Sequence, residues 1–143
     1  MSSPGSPRSE YTLRRRVHFY ETDAAGIVHF SNFFRYMEEA EHALWREAGL
    51  SITARKAAIG FPRIATSFEY HRPLRAEDEF EVCIKVIGMS EKTMRYQCVL
   101  TKGDEIIATG SLTIVCVSYA EGQMKAVPIP VDITSRFTVA ATQ

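Results

Sequence analysis

Asp23 stands in the loop Thr-Asp-Ala-Ala-Gly of residues 22–26, whose small members leave room for a ligand to reach its carboxylate. A lone loop aspartate is by default a turn former, but here its neighbours add chemistry. Gly26 permits a tight bend or the close approach of a ligand, and Ile27 and Val28 can anchor the far side of the loop. Seven positions after Asp23 comes Phe30, directly ahead of a segment with helical periodicity. Backbone N–H groups at a helix start have no intrahelical acceptor, and the positive end of the helix dipole lies behind them. A carboxylate beside such groups suits attack on a carbonyl: Asp23 acts as base or nucleophile, and the Phe30 N–H holds the developing oxyanion. One carboxylate suffices only for a good leaving group. A thiol, with an ordinary pKa of about 8.5, departs as thiolate where an amine needs protonation, so thioesters are the natural substrates.

The elements that must position these residues are legible from periodicity. Residues 11–19 read as a first strand and residues 20–30 as a loop. From about Ser31, Phe33, Met37, Ala40, Leu44 and Ala48 recur at three- and four-residue steps, with Glu38, Glu39, Glu41 and Arg46 off that stripe. This predicts an amphipathic helix of about 17 residues, roughly 25 Å long. Ser31 or Asn32 is its N-cap candidate, and Gly49 stands where a left-handed residue ends a helix. Residues 51–60 read as a connection with at most one helical turn. Beyond them the period becomes two, predicting strands at 63–71, 79–87, 93–101 and 106–118, the last with Ile106, Ala108, Leu112 and Ile114 on one face. "VPIP" at 127–130 ends the sheet region, and a short helix can follow. One long helix and then a meander of strands make an α+β domain, an antiparallel sheet with the helix on one face.

The run "YETDAAGIVHFSNFFRYMEEAEHALWREAGL", residues 20–50, resembles the signature of the 4-hydroxybenzoyl-CoA thioesterase family, which includes the Tol-Pal-associated acyl-CoA thioesterases. The resemblance extends over residues 17–130 and implies the hotdog fold, an antiparallel sheet of about five strands wrapped around one long central helix. It implies hydrolysis of an acyl-CoA or aryl-CoA thioester, with coenzyme A as part of the substrate and no separate cofactor. Asp23 falls at the family's catalytic aspartate and the backbone N–H of Phe30 at its carbonyl-polarising amide. Lys92, in the turn "GMSEKT", falls near basic positions that contact the CoA phosphates, although the most basic members carry several cations there and this chain carries only Lys92. Many Tol-Pal-type relatives have a histidine one position later, where this chain has Phe30, so the family's catalytic role does not transfer directly to His29, which is a candidate for catalysis, for assisting a water, for lining the acyl pocket or for packing. Tyr20, Gly26 and Val28 complete the expected substrate-binding set. Tyr20, Phe30, Phe33, Phe34 and Tyr36 crowd one region, where some form core and others can form an acyl slot.

The remaining features bound the alternatives. With 143 residues the chain is of single-domain length, read as residues 11–143 behind a leader of residues 1–10 too rich in Ser, Pro and Gly to pack. That leader lacks a signal peptide's apolar core, no run approaches the ~20 apolar residues of a membrane span, and a cytoplasmic location is expected. The 17 basic and 17 acidic side chains cancel, giving no bulk electrostatic reason to expect nucleic acid. Cys83, Cys98 and Cys116 read as small buried hydrophobes of a reducing compartment. Glu38 and His42 share a helix face, but no second pair accompanies them, so no metal is expected. His18 and His71 take structural roles. Competing functions are a non-catalytic acyl-thioester-binding module, a thioesterase acting on an acyl carrier protein, and a dehydratase, whose histidine-bearing loop pattern is absent. A single sheet leaves unpaired edges, and the family pairs its sheets, so a homodimer or homotetramer is expected, with residues 63–67 of a partner completing the site.

Overall fold

The computed structural model describes residues 6–53 and 58–141. Five strands, β1 (Glu10–Arg16), β3 (Arg63–Tyr70), β4 (Glu79–Met89), β5 (Thr93–Lys102) and β6 (Glu105–Val115), form one antiparallel sheet in the order β1-β4-β5-β6-β3. The helix α1 (Asn32–Glu47) packs against β1 and β4. Alternation explains the packing. Phe80, Val82, Ile84 and Val86 of β4, with Met94, Tyr96, Cys98 and Leu100 of β5, turn one face inward against Phe33, Met37, Ala40 and Leu44 of α1 in a single core. A second, small sheet joins β2 (Ile59–Gly60), β7 (Val117–Ser118) and β8 (Lys125–Ala126), and a four-residue helix α2 (Val131–Thr134) follows. Among the described residues no helix is long and apolar enough to cross a membrane.

The structure corrects the sequence reading in five places. Order begins before residue 11: Arg8 bridges Phe137, its N–H donating to the Arg136 carbonyl, and β1 starts at Glu10. Residues 1–5 of the expected leader lie outside the described residues. The first strand stops at Arg16, and Phe19–Glu21 is a 3-10 turn. In β6 the buried residue is Ile107, 1% exposed, while Ile106 is 52% exposed. A bulge causes this: Leu100 pairs with Ala108 and Thr101 with Ile106, so Ile107 is the extra residue and the alternation slips by one. The long last strand breaks at Cys116, whose N–H donates to the Lys92 carbonyl, and its remainder joins the small sheet through β2, where no strand was expected. Residues 54–57 of that connection lie outside the described residues. Finally, Glu41, read as lying off the apolar stripe, is fully buried, ion-paired with Arg63 and hydrogen-bonded by the Tyr96 hydroxyl, which also accepts from Trp45 Nε1 at 2.9 Å. Burial pushes the Glu41 carboxyl upward against the opposing pull of Arg63.

Candidate active site

The Asp23 loop closes on itself. The Asp23 N–H donates to the Ile27 carbonyl at 2.8 Å, the Gly26 N–H to the Asp23 carbonyl at 2.9 Å, and Thr22 bridges Val28. Gly26 makes this bend with φ of +79°, a conformation that a side chain would strain. Asp23 Oδ1 accepts from the Ala25 N–H at 2.9 Å and from that of Ile27 at 3.5 Å, while among the described residues Oδ2 has no protein donor. Beyond the loop, the Val28 and His29 N–H groups go to the Leu74 and Glu21 carbonyls, and those of Asn32 and Phe33 to the His29 and Phe30 carbonyls. The Ser31 N–H is taken at 3.2 Å by His29 Nδ1. That leaves the Phe30 N–H, which has no acceptor among the described residues. The amide at the mouth of α1 is thus left free as expected, and Ser31, the N-cap, supplies no side-chain cap.

Asp23 and Phe30 open on one cleft of about 460 Å³, lined also by Ile27, Val28, Phe33, Tyr70, His71, Arg72 and Pro73. Its walls are aromatic: Phe33 and Tyr70 meet edge to face with centroids 4.9 Å apart, and the Tyr70 hydroxyl donates to the Phe30 carbonyl at 3.2 Å. Burial pushes the Tyr70 phenol upward. The Ile107 bulge shapes this wall, since its carbonyl receives both the His71 and the Arg72 N–H groups. Arg72 reaches outward to Glu105 at 3.1 Å.

Behind the loop lies a buried charged network. Glu21, 5% exposed, takes both Arg15 nitrogens at 3.1 and 2.7 Å, the His18 N–H at 2.8 Å and the Tyr36 hydroxyl at 2.9 Å. Its backbone carbonyl takes the His29 N–H at 2.9 Å and Asn32 Nδ2 at 2.8 Å. Arg15 also pairs with Glu39 at 2.8 Å, and its guanidinium lies 4.8 Å from the Tyr36 ring centroid. Burial alone would raise the Glu21 carboxyl, but the hydrogen bonds from Arg15, His18 and Tyr36 outweigh it and hold it below its ordinary value. The Arg15 guanidinium is pushed up, chiefly by its bond to Glu39, and the Tyr36 phenol by burial and by Glu21.

The family model of the thioesterase-like superfamily matches residues 17–137. The chain belongs to this superfamily. It is thus a thioester hydrolase by class. A 1,4-dihydroxy-2-naphthoyl-CoA hydrolase of Trichodesmium erythraeum is 33% identical over 112 residues, 75% of this chain and 81% of that one. A crystal structure of an Aquifex aeolicus protein superposes with a TM-score of 0.83 at 33% identity, covering 90% of this chain and 99% of that one. The structure of a gentisyl-coenzyme A thioesterase gives a TM-score of 0.80 at 26% identity, covering 90% and 100%. The hotdog fold expected from the sequence is the fold observed.

Within this thioesterase the expected site residues divide. Asp23, Val28 and Phe30 share the cleft, and Gly26 shapes the loop beside it. Tyr20 does not line it: its ring is 80% exposed and stacks on His18. His29 is turned to its own chain, with Nδ1 against Ser31 and its ring stacked on Phe30 at 4.5 Å, and it too is absent from the lining. Lys92 lies at the other end of the sheet. Tyr70 pairs with Ala108 and Ala108 with Leu100, about 25 Å along β5 from the Lys92 turn. Arg63 is held by Glu41 and Glu38. Glu38 is therefore engaged at the hollow it shares with His42, and among the described residues no cluster of three potential ligands could hold a metal ion. His71, expected to be structural, lines the cleft. Tyr70, Arg72 and Pro73 were not anticipated, because they meet the Asp23 loop only in the folded chain, through the pairing of β3 with β6 and the bond from the Val28 N–H to the Leu74 carbonyl.

Proposed function

We propose that this thioesterase hydrolyses an aryl-CoA thioester to the aromatic acid and free coenzyme A, with Asp23 and the Phe30 N–H as its reacting groups. One observation carries the reading: Asp23, whose carboxylate keeps a free oxygen, and Phe30, whose backbone amide has no acceptor among the described residues, line the same aromatic-walled cleft. The thioester carbonyl oxygen points at the Phe30 N–H, which gains strength as negative charge collects on it. Asp23 takes a proton from water attacking the carbonyl carbon, or attacks that carbon itself to form an anhydride that water then cleaves. By either route the C–S bond breaks, the thiolate leaves with the electron pair and water supplies the acid oxygen. No cofactor is required beyond the coenzyme A of the substrate. Phe30, Phe33 and Tyr70 suit a flat acyl group, and the names of the two CoA-cleaving relatives support the aryl class. The free cysteines, with Cys98 and Cys116 buried, support a reducing, cytoplasmic setting.

The test is a panel of benzoyl-, gentisyl-, 1,4-dihydroxy-2-naphthoyl-, butyryl- and palmitoyl-CoA assayed for free thiol, with wild-type protein and Asp23→Asn. Turnover of aryl-CoA in preference to alkyl-CoA, lost by at least a hundredfold in a folded Asp23→Asn protein, is expected. Tight binding without thiol release would make the protein an acyl-thioester-binding module instead, and wild-type kcat in Asp23→Asn would remove Asp23 from the mechanism.

A further inference from the structure

The Asp23 loop is closed by its own hydrogen bonds, so where it sits relative to the helix start is decided by what its two ends hold. Both ends meet at Glu21. The loop leaves from Glu21 into Thr22, and it returns through His29, whose N–H is bound by the Glu21 carbonyl at 2.9 Å. The same carbonyl binds Asn32 Nδ2 on the first turn of α1, and one turn later the Tyr36 hydroxyl binds the Glu21 carboxylate. Arg15 ties that carboxylate to β1. One residue thus joins both ends of the loop, the helix that follows Phe30, and the sheet. Glu21 does not line the cleft, so it touches no substrate.

Stability alone is a weak reason to bury these charges. Desolvation offsets most of the attraction in a buried ion pair, and apolar residues of similar volume often serve a fold as well. What such a network does supply is a single arrangement, because each of its donors is directional. Attack on a carbonyl demands that: reacting atoms misplaced by about 1 Å lose on the order of a hundredfold in rate.

We infer that Glu21 is a positioning residue, whose buried carboxylate and backbone carbonyl together fix the Asp23 carboxylate and the Phe30 N–H in the mutual arrangement that a thioester carbonyl requires. This rests on the reading of Asp23 and Phe30 given above. It separates Glu21 from a merely structural buried acid, since its loss should lower kcat per folded molecule and leave KM nearly unchanged.

The experiment compares Glu21→Gln, Tyr36→Phe, Asp23→Asn and, as a structural control, Tyr96→Phe, using the aryl-CoA turned over fastest in the panel above and correcting for folded fraction by circular dichroism. Tyr96→Phe also removes one buried hydroxyl, the partner of Trp45 and Glu41 on the later turns of α1, outside the Glu21 network and the cleft. The expected result is a kcat loss of about tenfold in Tyr36→Phe and about a hundredfold in Glu21→Gln, KM within twofold, and wild-type kcat in folded Tyr96→Phe. If Glu21→Gln does not fold, Tyr36→Phe decides alone, since it leaves the carboxylate and Arg15 in place. Wild-type kcat in folded Tyr36→Phe and in any folded Glu21→Gln, beside an inactive Asp23→Asn, overturns this inference alone. Wild-type kcat in Asp23→Asn overturns the reading of Asp23 and this inference with it.

Discussion

At Glu21, acid should act on stability in a way that a neutral amide cannot reproduce. The folded protein holds this carboxyl below its ordinary value of 4.5, so its contribution is complete above that value and is lost as pH falls through the depressed folded value. The stability gap between wild type and Glu21→Gln, measured by urea unfolding, should be widest near neutrality and shrink steadily below about pH 4.5. Glu41 runs the other way. Its raised carboxyl binds protons better in the folded state, so its contribution falls as pH rises through the range between its unfolded and folded values. A gap for Glu21→Gln that widened on acidification would contradict the assigned network. The contrast with Asp23 explains what a sequence can disclose at this scale. Asp23, Gly26 and Phe30 were legible because loop, bend and helix start are neighbours in the chain. Glu21 and Glu41 were not, because each is buried by a partner supplied from elsewhere: Arg15 from the first strand and Arg63 from across the sheet.

Among the elements, α1 tests whether its stop signal was read for the right reason. Gly49 has φ of +81°, and a Cβ there would lie 2.7 Å from Arg136 Nη1, which itself donates to the Ala48 carbonyl at 2.7 Å. Gly49→Ala should therefore destabilise the fold by about 1–3 kcal/mol, from left-handed strain and displacement of the arginine that caps the helix. Chemical denaturation measures this, and a cost below a few tenths of a kcal/mol would mean that the helix end readily rearranges. Periodicity located α1, β4, β5 and β6 because each buries one regular face, whereas β3, mostly exposed in the single chain, has none and was read from its β-favouring residues. It failed where regularity breaks. The Ile107 bulge shifts the buried set by one residue without any Gly or Pro to announce it. The two-residue strands β2, β7 and β8 are too short to show a period and exist only because their partners do.

At the scale of the whole molecule, the five-stranded sheet ends in two edges, β1 and β3, and β3 is the more exposed of them. Its residues Ile64, Ala65, Thr66 and Ser67 are exposed in the single chain, as is the Phe30 ring at the cleft. Such an edge is a template for pairing with another chain, and a symmetric dimer is the commonest way to satisfy it. An antiparallel two-fold pairing centred on the middle of β3 sets the Arg63 end of each copy beside the Tyr70 end of the other, which is the cleft. It also brings the partner's Lys92 toward that cleft, because Lys92 precedes the Thr93 end of β5, on the Arg63 side of the sheet. The long separation within one protomer is then no obstacle to a role for Lys92 at the CoA phosphates. The protein should behave as a dimer or tetramer of its 16.1 kDa chain in light scattering at micromolar concentration. Ile64→Lys should dissociate it and lower activity in parallel. Lys92→Ala should keep the assembly and kcat while raising KM for the CoA thioester, with little effect on a pantetheine thioester that lacks the nucleotide phosphates. A monomer near 16 kDa with full activity would refute the shared site, and an equal KM rise for both thioesters would free Lys92 from the nucleotide.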